Sequence, residues 1–193
     1  LSFDAVVKPG ETLTVMGPSG SGKSTLLAFI GGFLDPAFSA SGTVLIGGED
    51  LAGKTLRQRH AGLLFQDPLL FPHMSVGQNL LFAIPSDDRR VSERKAKADR
   101  MLFRMDLEGL FDHDPARLSG GQKARVALAR TLLSQPRALL LDEPFSKLDA
   151  TLRQQMRDLV FAHAKERMLP VILVTHDPAD AESAGDQLVT IGT

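Results

Sequence analysis

Short apolar runs alternate along the chain with longer stretches of helical periodicity, a pattern typical of an α/β domain with a mainly parallel sheet. Strands are predicted at residues 12–16, 43–46, 62–65, 138–141, 171–175 and 188–191. Helices are predicted at residues 23–30, 92–105, 120–133 and 148–167. Three of the strands contain unbroken apolar runs, at 63–65, 138–141 and 171–174, which are typical of strands buried on both faces.

The segment from about residue 67 to residue 135 differs in character from the rest of the chain. It contains no convincing buried strand, and it combines two proline-bearing loops with the charged helical stretch at 92–105. We therefore interpret the 193 residues as one domain, in which a sheet core at 1–66 and 136–193 receives a helical insertion at 67–135.

Composition and charge exclude several classes of protein. The net charge of −1, from 22 basic and 23 acidic residues, argues against nucleic-acid binding by bulk electrostatics. The basic residues between Arg89 and Arg100 are interleaved with acidic ones, Asp87, Asp88, Glu93 and Asp99, so we interpret that stretch as a solvated helix face and expect no nucleic-acid partner. The absence of cysteine excludes a disulfide scaffold and a cysteine nucleophile. The sequence contains no run of 18 apolar residues, so it predicts no transmembrane span. Because the sequence begins without Met, we expect it to be a segment of a longer chain.

A glycine-rich turn connects the strand at 12–16 to the helix at 23–30 and fits the pattern G-x-x-x-x-G-K-[ST]. Glycines there let consecutive backbone N–H groups face one anion, and the helix N-terminus adds partial positive charge. We expect Lys23 to reach the β- and γ-phosphates of a nucleotide and the Ser24 hydroxyl to ligate Mg²⁺. The predicted nucleotide-binding residues of this turn are Gly17, Pro18, Ser19, Gly20, Ser21, Gly22, Lys23, Ser24 and Thr25.

Two further stretches carry candidate chemistry. The apolar strand at 138–141 ends in Asp142 and Glu143, and ligands of open α/β sheets bind at the carboxyl ends of strands. Asp142 is therefore expected to hold Mg²⁺ through water, and Glu143 to polarise an attacking water. Ser119 and the following glycines begin the helix at 120–133 and form a second phosphate-receptive end without a lysine, or alternatively a plain helix cap.

The stretches at 17–25, 118–122 and 139–143 resemble, in this order, the Walker A, signature and Walker B motifs of the ATP-binding subunit of ABC transporters. Gln66 follows a predicted strand as the glutamine of the family's Q-loop does. The stretch at 146–149, ending in Asp149, resembles the D-loop, and His176 at the end of the strand at 171–175 resembles the switch histidine.

The resemblance implies a P-loop ATPase fold whose helical subdomain carries the signature motif. It implies a head-to-tail dimer in which each ATP lies between one subunit's phosphate loop and the partner's signature. The further nucleotide-binding residues that the resemblance implies are Gln66, Ser119, Gly120, Gly121, Gln122, Asp142 and Asp149. Glu143 is implied as general base, with His176, Lys23 and Gln66 as the other catalytic residues. Mg²⁺ is implied to be held by Ser24, Gln66 and Asp142.

The same resemblance implies transmembrane permease subunits as partners and a peripheral location on the cytoplasmic face of the plasma (inner) membrane. Residues 70–76 and 143–146 are similar to those of bacterial importer ATPases for ions, polyamines, sugars or vitamins. The alternative is an ABC ATPase that acts on ribosomes or DNA without a permease. DNA-repair members insert long coiled coils between the phosphate loop and the signature, and the separation of Lys23 from Leu118 leaves no room for one.

The sequence also departs from the family pattern. The family stacks adenine on an aromatic residue about twenty residues before the phosphate loop, whereas 16 residues precede Gly17 here and the chain contains no Tyr or Trp. We expect the N-terminal strand with this A-loop to be missing and Phe3 to belong to the sheet core. Lys147 and Ala124 are unusual residues at their motif positions.

Overall fold

The computed structural model describes residues 2–85 and 90–192. Its strands are β1 (Thr12–Met16), β2 (Leu45–Ile46), β3 (Glu49–Asp50), β4 (Ala61–Leu64), β5 (Ala138–Asp142), β6 (Val171–Val174) and β7 (Gln187–Thr190). Its helices are α1 (Lys23–Gly31), α2 (Leu56–Arg59), α3 (Val76–Ala83), α4 (Val91–Arg104), α5 (Gly120–Leu133), α6 (Ala150–Glu166) and α7 (Pro178–Ala184). The chain forms two compact units, one of residues 1–63, 136–143 and 157–193 and one of residues 64–135 and 144–156.

A five-stranded sheet organises the first unit, in the order β4-β5-β6-β1-β7. The pairings of β5 with β6, β6 with β1 and β1 with β7 are parallel. The register aligns Asp142 of β5 with Val174 of β6, and Val174 with Val15 of β1. Three neighbouring strands therefore end at the same level, and the loops that follow them leave the sheet at one edge.

The core of the first unit explains why the predicted apolar strands form. Leu13, Val15, Leu140 and Val174 are buried in one cluster with Leu27 of α1. Phe3 is partly buried and packs against this cluster, as the sequence predicts. The strand run at 138–141 is buried throughout, which confirms the interpretation of that run as an interior strand.

The second unit contains helices and loops. Within its described residues no strand occurs after Leu64. Asn79 of α3 is fully buried, and Gly77 of the same helix packs so closely that a Cβ there would lie 2.4 Å from the ring of Phe111. Helices α4 and α5 match the predictions at 92–105 and 120–133 to within one residue at each end.

Several local predictions were wrong or incomplete. The strand predicted at 43–46 is only two residues long and pairs antiparallel with Glu49–Asp50 in a separate sheet. The reason is a two-residue turn, Gly47-Gly48, with φ of 59° and 78°, because such a turn folds a strand back on itself. Helices α3 and α7 were missed although both carry start signals, a capping box from Ser75 to Gln78 and an Asp177-Pro178 cap.

The charged side chains of α4 lie at the surface of the protein, as far as the structure describes them. Lys95 pairs with Asp99 one helical turn away, and its ammonium lies 4.3 Å from the centroid of the Phe111 ring. Asp87, Asp88 and Arg89, which the sequence analysis included in this stretch, lie outside the described residues. Among residues 2–85 and 90–192, no helix is both long enough and apolar enough to cross a bilayer.

Candidate active site

The glycine-rich turn between β1 and α1 forms a tight loop that depends on its glycines. Gly22 precedes α1 with a φ of 93°, in the left-handed region that favours glycine. A Cβ at Gly17 would lie 2.3 Å from the carbonyl oxygen of Ile191, so a side chain there would collide with the backbone. Because Gly22 supplies no side-chain cap, the first N–H groups of α1 receive no acceptor from the residue that begins the helix.

The polar side chains of this loop face its backbone. Lys23 is buried, and its ammonium donates hydrogen bonds of 2.8 Å to the carbonyl oxygens of both Gly17 and Pro18. The hydroxyl oxygen of Ser21 is buried without a hydrogen-bond partner among the described residues. Ser24 is exposed in the first turn of α1. The loop thus combines the Lys23 ammonium, the uncapped N–H groups of α1 and the unpartnered Ser21 hydroxyl. These are the hydrogen-bond donors that an anionic ligand requires.

The end of β5 presents the second element of the site. Glu143 directly follows Asp142 and adopts a φ of 50°, a left-handed conformation that costs a non-glycine residue energy. Its N–H donates to the carbonyl oxygen of Val174 at 2.9 Å, which fixes this residue to the end of β6. The Glu143 side chain is 13% exposed. The backbone hydrogen bond and the left-handed conformation together place the Glu143 carboxylate at the sheet edge.

His176 meets that carboxylate. Its Nδ1 lies 2.7 Å from Oε1 of Glu143, while 71% of the imidazole remains exposed. The hydrogen bond to Glu143, together with the attraction of its charge, raises the pKa of His176. Both residues are predicted for the site from the sequence, but their contact with each other is not.

The strand register brings these groups to one place. Val15, Val174 and Asp142 lie side by side on neighbouring strands. Within two residues of this row the chain reaches the phosphate loop after β1, His176 after β6 and Glu143 after β5. Adjacent strands are about 4.8 Å apart, so the ends of β1 and β5 are separated by about 10 Å. That span is comparable with the length of a triphosphate together with an attacking water.

The remaining predicted residues belong to the second compact unit. Gln66 is exposed, and Asp149 accepts a hydrogen bond from the N–H of Leu152 in the first turn of α6. Ser119 begins α5 in a capping box, in which its hydroxyl accepts from the N–H of Gln122 and its N–H donates to the Gln122 side chain. Within this unit Lys147 also pairs with Asp67, at 2.7 Å.

The two signature glycines are not required by the fold of the chain. A Cβ at Gly120 would meet nothing within 4 Å, and one at Gly121 would make only ordinary contacts, at 3.5 Å or more. Neither glycine has a positive φ. The fold therefore has room for a side chain at both positions, and glycine leaves the surface around Gly120 open at the start of α5.

Residues 2–146 match the family model of ABC transporters. The chain belongs to this family. It is 50% identical over 179 residues to the uncharacterized ABC transporter ATP-binding protein YnjD of Escherichia coli K12, a match that covers 91% of this chain and 82% of YnjD. It is also 42% identical to the thiamine import ATP-binding protein ThiQ of Salmonella choleraesuis, over 99% of this chain and 80% of ThiQ.

Solved structures agree with this assignment. The dimeric structure of MJ0796, a bacterial ABC transporter cassette, matches with a TM-score of 0.85 and 31% identity, over 97% of this chain and 83% of that one. The resemblance inferred from the motifs and the predicted P-loop ATPase fold are both confirmed. As a member of the ABC family, the chain is a transport ATPase that binds and hydrolyses ATP.

Two residues beside the site were missed by the sequence analysis. Arg157 of α6 and Asp180 of α7 are buried and hydrogen-bonded to each other, next to the turn that carries His176. The available signal was weak, because a charged residue in a helical pattern ordinarily indicates an exposed face.

Proposed function

We propose that this ABC ATPase powers a bacterial importer of a small solute or ion, with Glu143 as the general base of ATP hydrolysis. The observation that carries the catalytic part of the proposal is the hydrogen bond of 2.7 Å between Glu143 and His176, at the sheet edge where the phosphate loop begins. Support for import comes from relatives such as ThiQ and the Fe(3+) ions import ATP-binding protein FbpC of Escherichia coli K12, which is 37% identical over 98% of this chain and 54% of FbpC.

The phosphate loop accounts for binding of the triphosphate. Lys23 lies against the loop carbonyls, and a phosphate that reached it would exchange two neutral acceptors for an anionic one, which makes a stronger hydrogen bond. The uncapped N–H groups of α1 and the unpartnered Ser21 hydroxyl supply further donors. Phosphate charge, rather than the base, is what these residues recognise.

The residues near the loop also fit Mg²⁺. This ion prefers oxygen ligands and keeps several waters, so it is usually held by one or two protein groups and by substrate phosphates. The exposed Ser24 hydroxyl and the Asp142 carboxylate are ligands of that kind, and no cluster of three His, Cys, Asp or Glu side chains that could hold a metal ion occurs within residues 2–85 and 90–192. When bound, Mg²⁺ would supply positive charge that neutralises the phosphate oxygens.

Hydrolysis then follows from the pair at the ends of β5 and β6. Glu143 accepts a proton from water as the water oxygen bonds to the γ-phosphorus, and the bond from that phosphorus to the β–γ bridging oxygen breaks to give ADP and phosphate. His176 is exposed at the sheet edge and donates to the γ-phosphate. Lys23 neutralises charge that develops on the β- and γ-phosphates.

A second copy of the ATPase completes the site from outside. Ser119 and Gly120 are exposed at the N-terminus of α5, and the space around Gly120 is open. Such an end adds N–H donors to a phosphate that another subunit already holds. The dimeric structure of the MJ0796 cassette supports the association of two copies.

The permease is proposed to dock on the loop that follows Gln66. Leu69 and Phe82 are 59% and 64% exposed, and the ring of Phe71 packs edge-on against Phe82 with centroids 5.0 Å apart. Exposed apolar groups that are held in place mark partner surfaces. A permease segment bound there would transmit motion to the neighbouring glutamine, and the ATPase would act as a peripheral subunit at the membrane.

Replacing Glu143 with Gln tests the catalytic assignment. The substitution Glu143→Gln keeps the shape of the side chain and removes its basicity, so turnover should fall by about 10²–10⁴-fold while ATP binding is retained. Glu182→Gln, the same change at an exposed carboxylate, is the matched control and should hydrolyse ATP normally. Steady-state hydrolysis and ATP titration of the purified subunit give both values. A Glu143→Gln variant with near-normal turnover would remove Glu143 from the role of base.

A further inference from the structure

A buried polar network surrounds the turn that carries His176. Arg157 of α6 donates from Nε to Oδ1 of Asp180 at 2.6 Å, and both side chains are almost completely buried. The other carboxylate oxygen of Asp180 accepts a bond of 2.6 Å from the hydroxyl of Thr175, which is 0% exposed. Arg157 also reaches Asp177, at 3.2 Å. The residues on both sides of His176 are therefore linked to one buried arginine, Asp177 directly and Thr175 through Asp180.

The same network fixes the backbone of the turn. The Thr175 hydroxyl accepts a hydrogen bond of 3.1 Å from the N–H of Asp177, and the N–H of Thr175 donates to the carbonyl oxygen of Val15 on β1. Asp177 in turn caps α7 by accepting from the N–H of Ala179 at 2.9 Å. Strand β1, helix α6 and helix α7 thus hold three consecutive residues, 175–177, from different directions.

His176 depends on that backbone for its orientation. Its imidazole is 71% exposed, and its contact with Glu143 is a single hydrogen bond. Few packing neighbours restrict the rotamers of such an exposed side chain. The position of its own Cα therefore mainly decides which groups the imidazole can reach. The buried charges of Arg157 and Asp180 have no part of their own in the chemistry proposed above.

We propose that Thr175, Asp180 and Arg157 are positioning residues that aim His176 at the γ-phosphate. This inference rests on the proposed role of His176 in hydrolysis. The network acts through the geometry of one turn, so loosening it should slow the chemical step and leave ATP binding by the phosphate loop unchanged. A displacement of about 1 Å at a reacting group can cost about 10²-fold in rate.

The two conservative variants of Thr175 test the proposal. Thr175→Val preserves size and removes the hydroxyl, and we expect kcat to fall by about 10–100-fold with KM for ATP changed by less than about twofold. Thr175→Ser keeps the hydroxyl and should restore most of the rate. Thr131→Val, the same change at a buried threonine in the second unit, controls for loss of stability and should hydrolyse ATP normally. Thermal melts of all variants accompany the kinetics of the purified full-length subunit.

A double-mutant cycle separates this inference from the proposed function. If Thr175 acts through His176, adding Thr175→Val to His176→Ala should lower the single-turnover rate no further. A wild-type rate for His176→Ala alone would refute the catalytic role of His176. A slow His176→Ala combined with a folded Thr175→Val of normal kcat, or with additive losses in the double variant, would refute the positioning role.

Asp177→Asn provides a second route to the same answer if Thr175→Val does not fold. Asp177 is 25% exposed, so the isosteric amide is tolerated more easily. Its oxygen can still cap α7, while its NH₂ group faces Arg157, so both the charge interaction with the guanidinium and the hydrogen bond of 3.2 Å are lost. We expect about a threefold to tenfold loss of kcat that disappears in the His176→Ala background. An unchanged kcat in this variant would overturn the proposal.

Discussion

The side chain of Asn79 holds the loop on which we propose that the permease docks. It is fully buried in α3, and its amide bonds to backbone groups of the preceding loop. Its Oδ1 accepts from the N–H of Phe71 at 2.9 Å, and its Nδ2 lies 3.0–3.2 Å from the carbonyl oxygens of Ser75, Phe71 and Met74. An NH₂ group has two hydrogens, so these contacts amount to three hydrogen bonds, one of them shared.

The substitution Asn79→Ala removes all three bonds. Each contributes about 1 kcal/mol net to the free energy of unfolding, so the loss is about 3 kcal/mol. Alanine regains up to about 0.7 kcal/mol through its higher helix propensity. We therefore expect a net destabilisation of about 2–3 kcal/mol, a large part of the roughly 5–15 kcal/mol that a domain possesses.

Asn79→Asp separates hydrogen bonding from shape. The new carboxyl has the size of the amide but, when ionised, faces up to three carbonyl oxygens without a proton to donate. Its folded-state pKa must therefore lie above the unfolded value of about 3.9. A raised pKa means that the stability is present at low pH and is lost as pH rises through the folded pKa. At neutral pH this variant should be less stable than Asn79→Ala.

Urea unfolding at several pH values measures both effects, and hydrogen exchange of the Phe71 N–H reports on the loop itself. Gln78→Ala is the matched control, since Gln78 is an exposed amide on the same helix, and it should cost only about 0.5–1 kcal/mol as a capping residue. A loss below about 1 kcal/mol in Asn79→Ala, with protection of Phe71 unchanged, would refute the reasoning. The loop would then be held by Arg130, whose guanidinium donates to the carbonyl oxygen of Leu69 at 3.0 Å.

Two further predictions concern the catalytic groups. Because the hydrogen bond to Glu143 raises the pKa of His176, Glu143→Gln should lower that pKa toward about 6.5 in an NMR titration. The stability that wild type gains from protonating His176 is present below about pH 6.5 and is lost as pH rises through the raised pKa. This pH dependence of stability should therefore disappear from thermal melts of Glu143→Gln. An unchanged pKa of His176 in the variant would contradict the prediction. Ser119→Arg should abolish hydrolysis while the monomer still binds ATP, because bulk at this open helix end blocks the partner's nucleotide and not the chain's own phosphate loop. Loss of binding by the monomeric variant would show that Ser119 does not act across the dimer.

Local patterns were sufficient to predict much of the fold. The phosphate loop follows from its glycines and lysine, and β1 and α5 form at the predicted bounds because burial periodicity and helix-start signals are short-range properties. The same holds for the loop at 67–73, where two prolines exclude a regular helix. The sequence also predicted the residue types of the site, since Asp142, Glu143 and His176 each end an apolar run.

Only the tertiary structure decided how these residues combine. Glu143 and His176 are 33 positions apart in the chain, and their contact depends on β5 and β6 being neighbours in a particular register. Arg157 and Asp180 are likewise paired through the packing of α6 with α7. A periodic pattern reports whether a residue is buried, but not which residue it meets, because long-range pairing is set by the free energy of the whole packed core. For that reason the sequence determined the chemistry available to this protein, and the fold determined which groups act together.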